Sequence, residues 1–479
     1  MLRCQPLGDT VAMEENFDFG SPEEQKHSVD RYEEMLRNED QYFFDTIAFE
    51  GIIEYYIGKN DPVKALQVAD FALNQHPFET NFFIRKAQLL LSMQQLALAL
   101  QALEKAELLE PSESEIYLIK GAVYSSYGDS ARAEENFYRA LELSDAKDEV
   151  YFQIGQMHQS NNDLSKAIQF FKMTLSLNNE NSDALYAIAE CYDRMDRLEE
   201  SISFYQKYID SDPYSFVAWY NLGNAFHHLG KFEEAIDAYD YAILIQEKFS
   251  PAYLDKGNAL INMERYREAI EVFKHTFEFE SPRAETFCAI GECYEKLDKM
   301  TKAREFYEKS VKLDALHADA WFGIGVTLDS EGRYFESLYY YKKALEIDEE
   351  NPDFWFAIAD ARYKLHQIEE SEYAYSRVVE LNPTDAEAWL DYSSLLFEQG
   401  KLEAAIESMA EGIKCNPDEA LLYYRTVAYL IANGNLNEAL NFLDIALTKD
   451  PDKAYVIFEY LPQLEGNQVI LELIKKYTG

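Results

Sequence analysis

Residues 216–249 read FVAWYNLGNAFHHLGKFEEAIDAYDYAILIQEKF, and the spacing inside this stretch decides the fold. Trp219, Leu222, Gly223 and Phe226 recur at i, i+3, i+4 and i+7, which places them on one face of a helix. Gly230 then offers the left-handed conformation that ends a helix, and Phe232, Ala235, Ile236, Tyr239 and Ala242 repeat the pattern in a second one. Gly223 and Ala235 are small where the two helices are expected to cross, since a larger side chain would hold them apart.

Outward from this stretch, the pattern recurs twelve times at a strict 34-residue period, without insertion or deletion, from Thr46 to Lys453. Periods start at Thr46, Thr80, Ser114, Asp148, Ser182, Phe216, Ser250, Ala284, Ala318, Pro352, Ala386 and Ala420. The twentieth residue is always Ala or Ser, from Ala65 through Ser201 to Ala439. Glycines recur at the first crossing position in Gly121, Gly155, Gly257, Gly291 and Gly325. Pro77, Pro111, Pro213, Pro383, Pro417 and Pro451 stand where one unit hands over to the next and block continuation of the preceding helix. Strict periodicity of this length means a stacked helical array, each unit burying its apolar face against its neighbours.

The pattern Trp219-x2-Leu222-Gly223-x2-Phe226…Ala235…Tyr239…Ala242 resembles the signature of the tetratricopeptide repeat (TPR) family. That resemblance implies an all-α fold, a right-handed α-solenoid superhelix of helix-turn-helix repeats with capping helices at both ends. The acidic, Tyr-rich composition is similar to that of long TPR proteins of Bacteroidetes-type bacteria. Residues 1–21 are polar, carry Pro6, Gly8 and Gly20, lack helical periodicity and are expected to be disordered. Ser21 reads as a helix cap with Pro22 at the first helical position, so 22–45 is expected to hold an N-terminal capping helix with Val29, Tyr32, Met35 and Leu36 on one face. The repeats fill 46–453. C-terminal capping helices are expected in 454–479, broken at Pro462 and resuming over 468–477 with Val469, Ile470, Leu473 and Ile474.

Composition narrows the function. The formal net charge is −43, a field that repels phosphate polymers and anionic membrane surfaces. It serves the solubility of an elongated surface and attracts basic partners. Five cysteines form no CxxC pair, which fits packed thiols in a reducing compartment. Residues 1–12 carry Arg3 but then Pro6, Gly8 and Asp9 in place of a leader's apolar stretch, no transmembrane run is present, and the expected address is the cytoplasm.

In TPR proteins the first helix of each unit lines the concave groove, so the resemblance points to positions two, five, nine and twelve of the period as ligand contacts. Position five is an apolar and aromatic stripe: Glu50, Ile84, Leu118, Phe152, Tyr186, Tyr220, Leu254, Cys288, Phe322, Phe356, Leu390 and Tyr424. Across the 48 sites there are fifteen Asp or Glu, among them Glu50, Glu54, Glu190, Glu292, Glu295, Asp329 and Asp360, and no Lys or Arg. Seven of these acids sit near helix starts, where the dipole favours them, so the absence of bases is the sharper signal. Arg194, Lys296 and Lys364 occur one residue away. TPR co-chaperones hold C-terminal carboxylates with Lys/Arg and Asn; Asn224 and Asn258 match the Asn component, but the basic partners are missing. Asn221 and Asn224 remain able to grip an extended peptide backbone, because an amide both donates and accepts.

No catalytic or metal site emerges. Glu292, Glu295 and Asp329 lack the loop of a calcium site, and the adjacent His227 and His228 point in different directions on a helix. Phosphate-binding and nucleophile-elbow motifs are absent, and neither cofactor nor metal is expected. The sequence reads as a non-enzymatic scaffold binding a neutral or basic peptide or helix, without nucleic acid or membrane insertion. Phe152, Tyr186, Glu190, Tyr220, Asn221, Asn224, Asn258, Glu292, Phe322, Phe356 and Asp360 are the expected contacts. A self-assembling structural protein, or a regulatory subunit of a secretion or envelope machine, remains the alternative.

Overall fold

The computed structural model describes residues 22–38, 41–462, 466 and 468–478. The expected disorder over 1–21, the Ser21 cap and Cys4 lie outside the described residues. Among the described residues all regular structure is helical, and the chain divides into two compact units, Met1–Lys231 and Phe232–Gly479.

In the first unit α1 (Pro22–Asn38) precedes the pairs α2 (Thr46–Gly58) with α3 (Pro62–Gln75), α4 (Thr80–Ser92) with α5 (Leu96–Leu109), and α6 (Ser114–Ser126) with α7 (Ser130–Leu143). Then come α8 (Lys147–Ser160) with α9 (Leu164–Leu177), α10 (Ser182–Arg194) with α11 (Leu198–Ser211), and α12 (Phe216–His228). The second unit opens with α13 (Phe232–Ile245), followed by α14 (Ser250–Asn262) with α15 (Tyr266–His275), α16 (Ala284–Lys296) with α17 (Met300–Leu313), and α18 (Ala318–Asp329) with α19 (Tyr334–Ile347). It continues with α20 (Pro352–Lys364) and α21 (Ile368–Leu381), α22 (Ala386–Glu398) and α23 (Leu402–Cys415), α24 (Ala420–Ala432) and α25 (Leu436–Lys449), then α26 (Val456–Tyr460) and α27 (Gln468–Thr478). First helices begin at the residues where the sequence periods start, save α8, which begins one residue earlier at Lys147.

The crossings explain the small residues. A methyl group added at Gly121, Gly155 or Gly257 would meet the rings of Phe137, Phe171 or Phe273 at 2.4–2.6 Å. Gly291 and Gly325 stand in the same relation to Tyr307 and Tyr341, at 2.7 and 2.4 Å. Each ring is buried, so first and second helices close to contact through a bare backbone facing an aromatic plane. The twentieth residue is buried throughout the series, with Ala65, Ala99 and Ala133 fully so.

Two further devices fix the connections. The residue after each first helix's cap, or in α18 the second after it (Gly332), lies at positive φ, from Asn60 (55°) and Gln94 (59°) to His366 (57°) and Gly434 (81°). Only five of these positions are glycine, so the others hold a conformation that costs an L-residue about 1 kcal/mol. The fourth residue of many first helices is Trp or Tyr, and it ties the preceding loop. The indoles of Trp219, Trp321, Trp355 and Trp389 donate at 2.9–3.0 Å to the carbonyls of Pro213, Ala315, Glu349 and Pro383.

Second helices run 14 residues, but α15 stops after 10 and gives way to a 3-10 turn at Thr276–Glu278. Thr276 is buried, and its hydroxyl donates to Phe273 O at 2.8 Å, competing with the backbone ladder. Phe279 then packs beside Tyr253, centroids 5.5 Å apart.

Within each unit, successive first helices touch: α4 with α6, α6 with α8 and α10 with α12 in one, α16 with α18, α18 with α20 and α22 with α24 in the other. They form a shared layer, and second helices such as α7 and α9 in one unit and α17 and α19 in the other wedge between the first helices before and after them. At the N-terminal end, α1 buries Val29, Tyr32 and Met35, and Gln25 Nε2 donates to Gly51 O at 2.9 Å; Leu36, expected on that face, is exposed. At the other end, α26 and α27 bury Ile457 and Ile470 against Tyr424, Leu443 and Leu447, while Val469 stays exposed.

Candidate protein-binding face

The first-helix layer carries the residues expected to meet a ligand. In the first unit, α10 and α12 present Tyr186 and Tyr220 with ring centroids 6.3 Å apart in an edge-on arrangement. Tyr186 is 37 % exposed, and its partial burial, reinforced by Asp183, pushes the phenol up to about 12. It therefore remains a neutral hydrogen-bond donor at every physiological pH. One turn on, Glu190 is exposed and pairs with Arg194 at 3.4 Å. Phe152 on α8 is half-buried, its ring 5.5 Å from that of Phe171. Asn224 is half-buried on the same helix as Tyr220.

Asn221 departs from expectation. It is 2 % exposed, so its amide is not offered to a ligand on the surface. The side chain sits beside the Tyr205 hydroxyl, where it opposes the burial that raises that phenol. The hydroxyl itself donates to Leu185 O at 2.6 Å, and no acceptor meets hydrogen-bond geometry at Asn221 Nδ2.

In the second unit, Phe322 packs between Tyr341 and Phe354 at 5.4 and 4.9 Å, and Phe356 lies 5.7 Å from Tyr375. These two are half-buried. Asn258 and Glu292 are exposed. Around the half-buried Cys288, burial raises the thiol and Asp319, Glu292, Glu295 and Glu285 add to it, so four carboxylates converge on one part of the layer. Burial raises Glu295 as well, opposed by a 2.8 Å hydrogen bond from the Tyr307 hydroxyl. Asp360 pairs with Lys364 at 2.6 Å, and the same ammonium reaches Asp329 at 2.8 Å.

Two expectations need correction. The position-five stripe is not continuous: Ile84, Leu118 and Tyr424 are 2 %, 7 % and 0 % exposed. Ile84 and Leu118 are enclosed by neighbouring first and second helices, and Tyr424 is covered by the C-terminal helices, its hydroxyl donating to Asp450 O at 2.6 Å. Nor is the layer free of bases, although the chosen positions are. Arg85 spans Glu50 at 3.3 Å and Glu54 at 3.2 Å. Arg425 bonds Ser394 and lies 3.7 Å from the Tyr460 ring centroid. Both arginines occupy position six of their period, and a long side chain from there crosses to the preceding first helix. The signal that would have found Arg85 is its spacing of 31 and 35 residues from Glu54 and Glu50, the separations that bring successive first helices together.

Among the described residues no group of His, Cys, Asp and Glu is arranged to hold a metal ion, and no helix is long and apolar enough to cross a membrane. His228 engages Asp193 through Nδ1 at 2.8 Å, with the rings of His227 and His228 inclined at 56°.

Family models described as tetratricopeptide repeat match residues 158–224, 216–249, 250–278, 284–315 and 356–420, and one described as TPR repeat matches 330–366. Among curated proteins none matches. Among solved structures, YrrB, a TPR protein with an unusual peptide-binding site, aligns at TM-score 0.32 and 21% identity over 38% of this chain and 95% of that one. MamA protein aligns at 0.32 and 20% over 36% and 94%. The APC/C hetero-tetramer Cut9-Hcn1 aligns at 0.41 and 14% over 87% of this chain and 93% of that one. At these scores nothing those proteins bind carries over to this chain. The family matches together span just over half of the residues, and the chain belongs to the tetratricopeptide repeat family.

Proposed function

We propose that this protein is a non-enzymatic, cytoplasmic interaction scaffold that captures a peptide or helical segment of a partner on its first-helix layer. The observation that carries the reading is the Tyr186–Tyr220 pair, the Tyr186 ring 37 % exposed and under the influence of Asp183. Rigid aromatic side chains lose little entropy on binding and supply desolvated anchors. The carboxylates gathered around Cys288 favour neutral or basic segments, because approach of another anion would meet uncompensated charge. Phe152, Asn224, Asn258, Glu292, Phe322, Phe356 and Asp360 extend the same layer within their units; Asn221 supports it from below.

The test is affinity capture from the native cell with the parent and with Tyr186→Ala/Tyr220→Ala. The reading expects at least one partner to be lost with the variant, and retained partners throughout would refute it. Repeating the capture at high salt separates electrostatic steering, which salt weakens, from apolar anchoring, which it does not.

A further inference from the structure

Away from the first-helix layer, the cleft between α15 and α17, floored by α16, concentrates positive charge. Tyr294 on α16 and Phe306 on α17 lie 5.4 Å apart. The ammonium groups of Lys274, Lys299 and Lys302 all stand 5.6–5.9 Å from the Tyr294 ring centroid. Lys309 stands 4.2 Å from that of Phe306. Lys274 Nζ also donates to the Tyr294 hydroxyl at 3.2 Å and has a loose pairing with Glu271 at 3.7 Å. Lys299, Lys302 and Lys309 are exposed and form no ion pair among the described residues, in a chain with 87 acidic side chains and 44 basic ones. Some other surface lysines, Lys64, Lys166 and Lys414 among them, are paired with a carboxylate one turn away.

The same constellation stands in the first unit, at the same positions of the period. Lys172 on α9 donates to the Tyr192 hydroxyl at 3.0 Å and lies 4.7 Å from the Phe204 ring centroid, and Lys207 lines the same cavity of about 490 Å³. There, however, Glu200 occupies the place of Lys302, and Arg197, in the place of Lys299, is paired with it. In that cleft one cation, Arg197, is met by Glu200 from within, whereas at α17 both of the corresponding positions, Lys299 and Lys302, are cationic.

We propose that the α15–α17 cleft is a docking surface for a short acidic segment of a partner protein, its carboxylates held by Lys274, Lys299, Lys302 and Lys309. Charge complementarity selects the occupant. Lys302 and Lys309 are seven residues apart on one helix, so the charges spread over about 10 Å, a span that fits several carboxylates along a segment rather than one compact anion. The rings beneath the ammonium groups restrain them, which lowers the entropy a ligand must remove. A long phosphate polymer would extend beyond the patch into the field of a chain of net charge −43, whereas a short segment stays within about a screening length of the lysines.

The experiment is fluorescence anisotropy of a fluorescein-labelled alternating Glu–Ser peptide at low salt. Binding should weaken about tenfold in Lys299→Gln/Lys302→Gln/Lys309→Gln, the sum of three modest charge contacts. It should hold in the triple Lys→Arg variant, and in Lys166→Gln/Lys172→Gln/Lys207→Gln, which removes as many charges elsewhere. Tyr186→Ala/Tyr220→Ala should leave it unchanged, so this site and the first-helix layer are tested separately. The proposal is overturned if the parent does not bind the peptide, if the Gln triple binds it equally well, or if single-stranded oligothymidylate displaces it at a lower concentration.

Discussion

Adding one methyl group at Gly257 is expected to loosen the α14–α15 pair, whereas the same change at Gly58 is expected to tighten the end of α2. At Gly257 an ideal Cβ would stand 2.4 Å from Phe273 Cε1 and 2.5 Å from Cζ. Ordinary carbon contacts lie at about 3.5–4.0 Å, so the ring would have to retreat by about 1 Å. Phe273 is 1 % exposed and has no free space to enter. Overpacking of this kind costs about 1–3 kcal/mol, with a buried ring on a rigid crossing toward the upper end, and the better helix propensity of Ala returns about 1 kcal/mol, leaving a net loss of up to about 2 kcal/mol. Gly58 has nothing within 4 Å of the same atom, so there only the propensity gain remains. Hydrogen exchange resolves the two changes better than global melting, because long repeat arrays do not unfold in one step. Amides of α14 and α15 should exchange about ten times faster in Gly257→Ala, at 1.4 kcal/mol per decade. The penalty should shrink in a Phe273→Leu background, where the ring is gone. Unchanged or slower exchange in Gly257→Ala would show that the bare backbone at the crossing is not a steric requirement.

Other consequences are equally direct. His366 holds φ at 57°, so His366→Gly should slow amide exchange in α20 and α21 by the equivalent of up to about 0.5 kcal/mol once glycine's entropy is subtracted from the relieved strain; faster exchange would mean the imidazole contributes more than the strain. Burial raises the Glu295 carboxyl above its ordinary 4.5, so its contribution to stability is full below that pH and is lost as pH rises through the folded value. Glu295→Gln should therefore stabilise α16–α17 at neutral pH and have no effect in acid, and destabilisation at neutral pH would refute the assignment. Burial pushes the Cys191 and Cys293 thiols up to about 12 while Cys415 is exposed, so at pH 8 a thiol reagent should label Cys415 well before either; equal rates would contradict their enclosure.

Most of the helix order was legible because it rests on local spacing. The small residues at Gly257 and Ala269, the handover prolines and the apolar stripes each follow from one helix meeting the next. The contents of the first-helix layer were less legible, because they depend on side chains that leave their own period. Arg85 neutralises Glu50 and Glu54 from position six, a place the choice of ligand-facing positions had passed over. Tyr424 looks like Tyr186 in the sequence, yet one is sealed beneath α26 and α27 and the other lies open. The early end of α15 was invisible for another reason. Thr276 reads as an ordinary helix residue, and only its burial and its bond to Phe273 O reveal competition with the backbone. The cation-rich cleft at Tyr294 does not show in the first-helix positions, because its lysines stand on or at the start of second helices.

Hydrogen exchange of the protein with and without a partner captured from its native cell tests the central claim most directly. Binding on the first-helix layer should slow exchange in α10 and α12, around Tyr186 and Tyr220, and leave the outer turns of α9 and α11 unchanged. Protection confined to second helices, with α10 and α12 untouched, would contradict it.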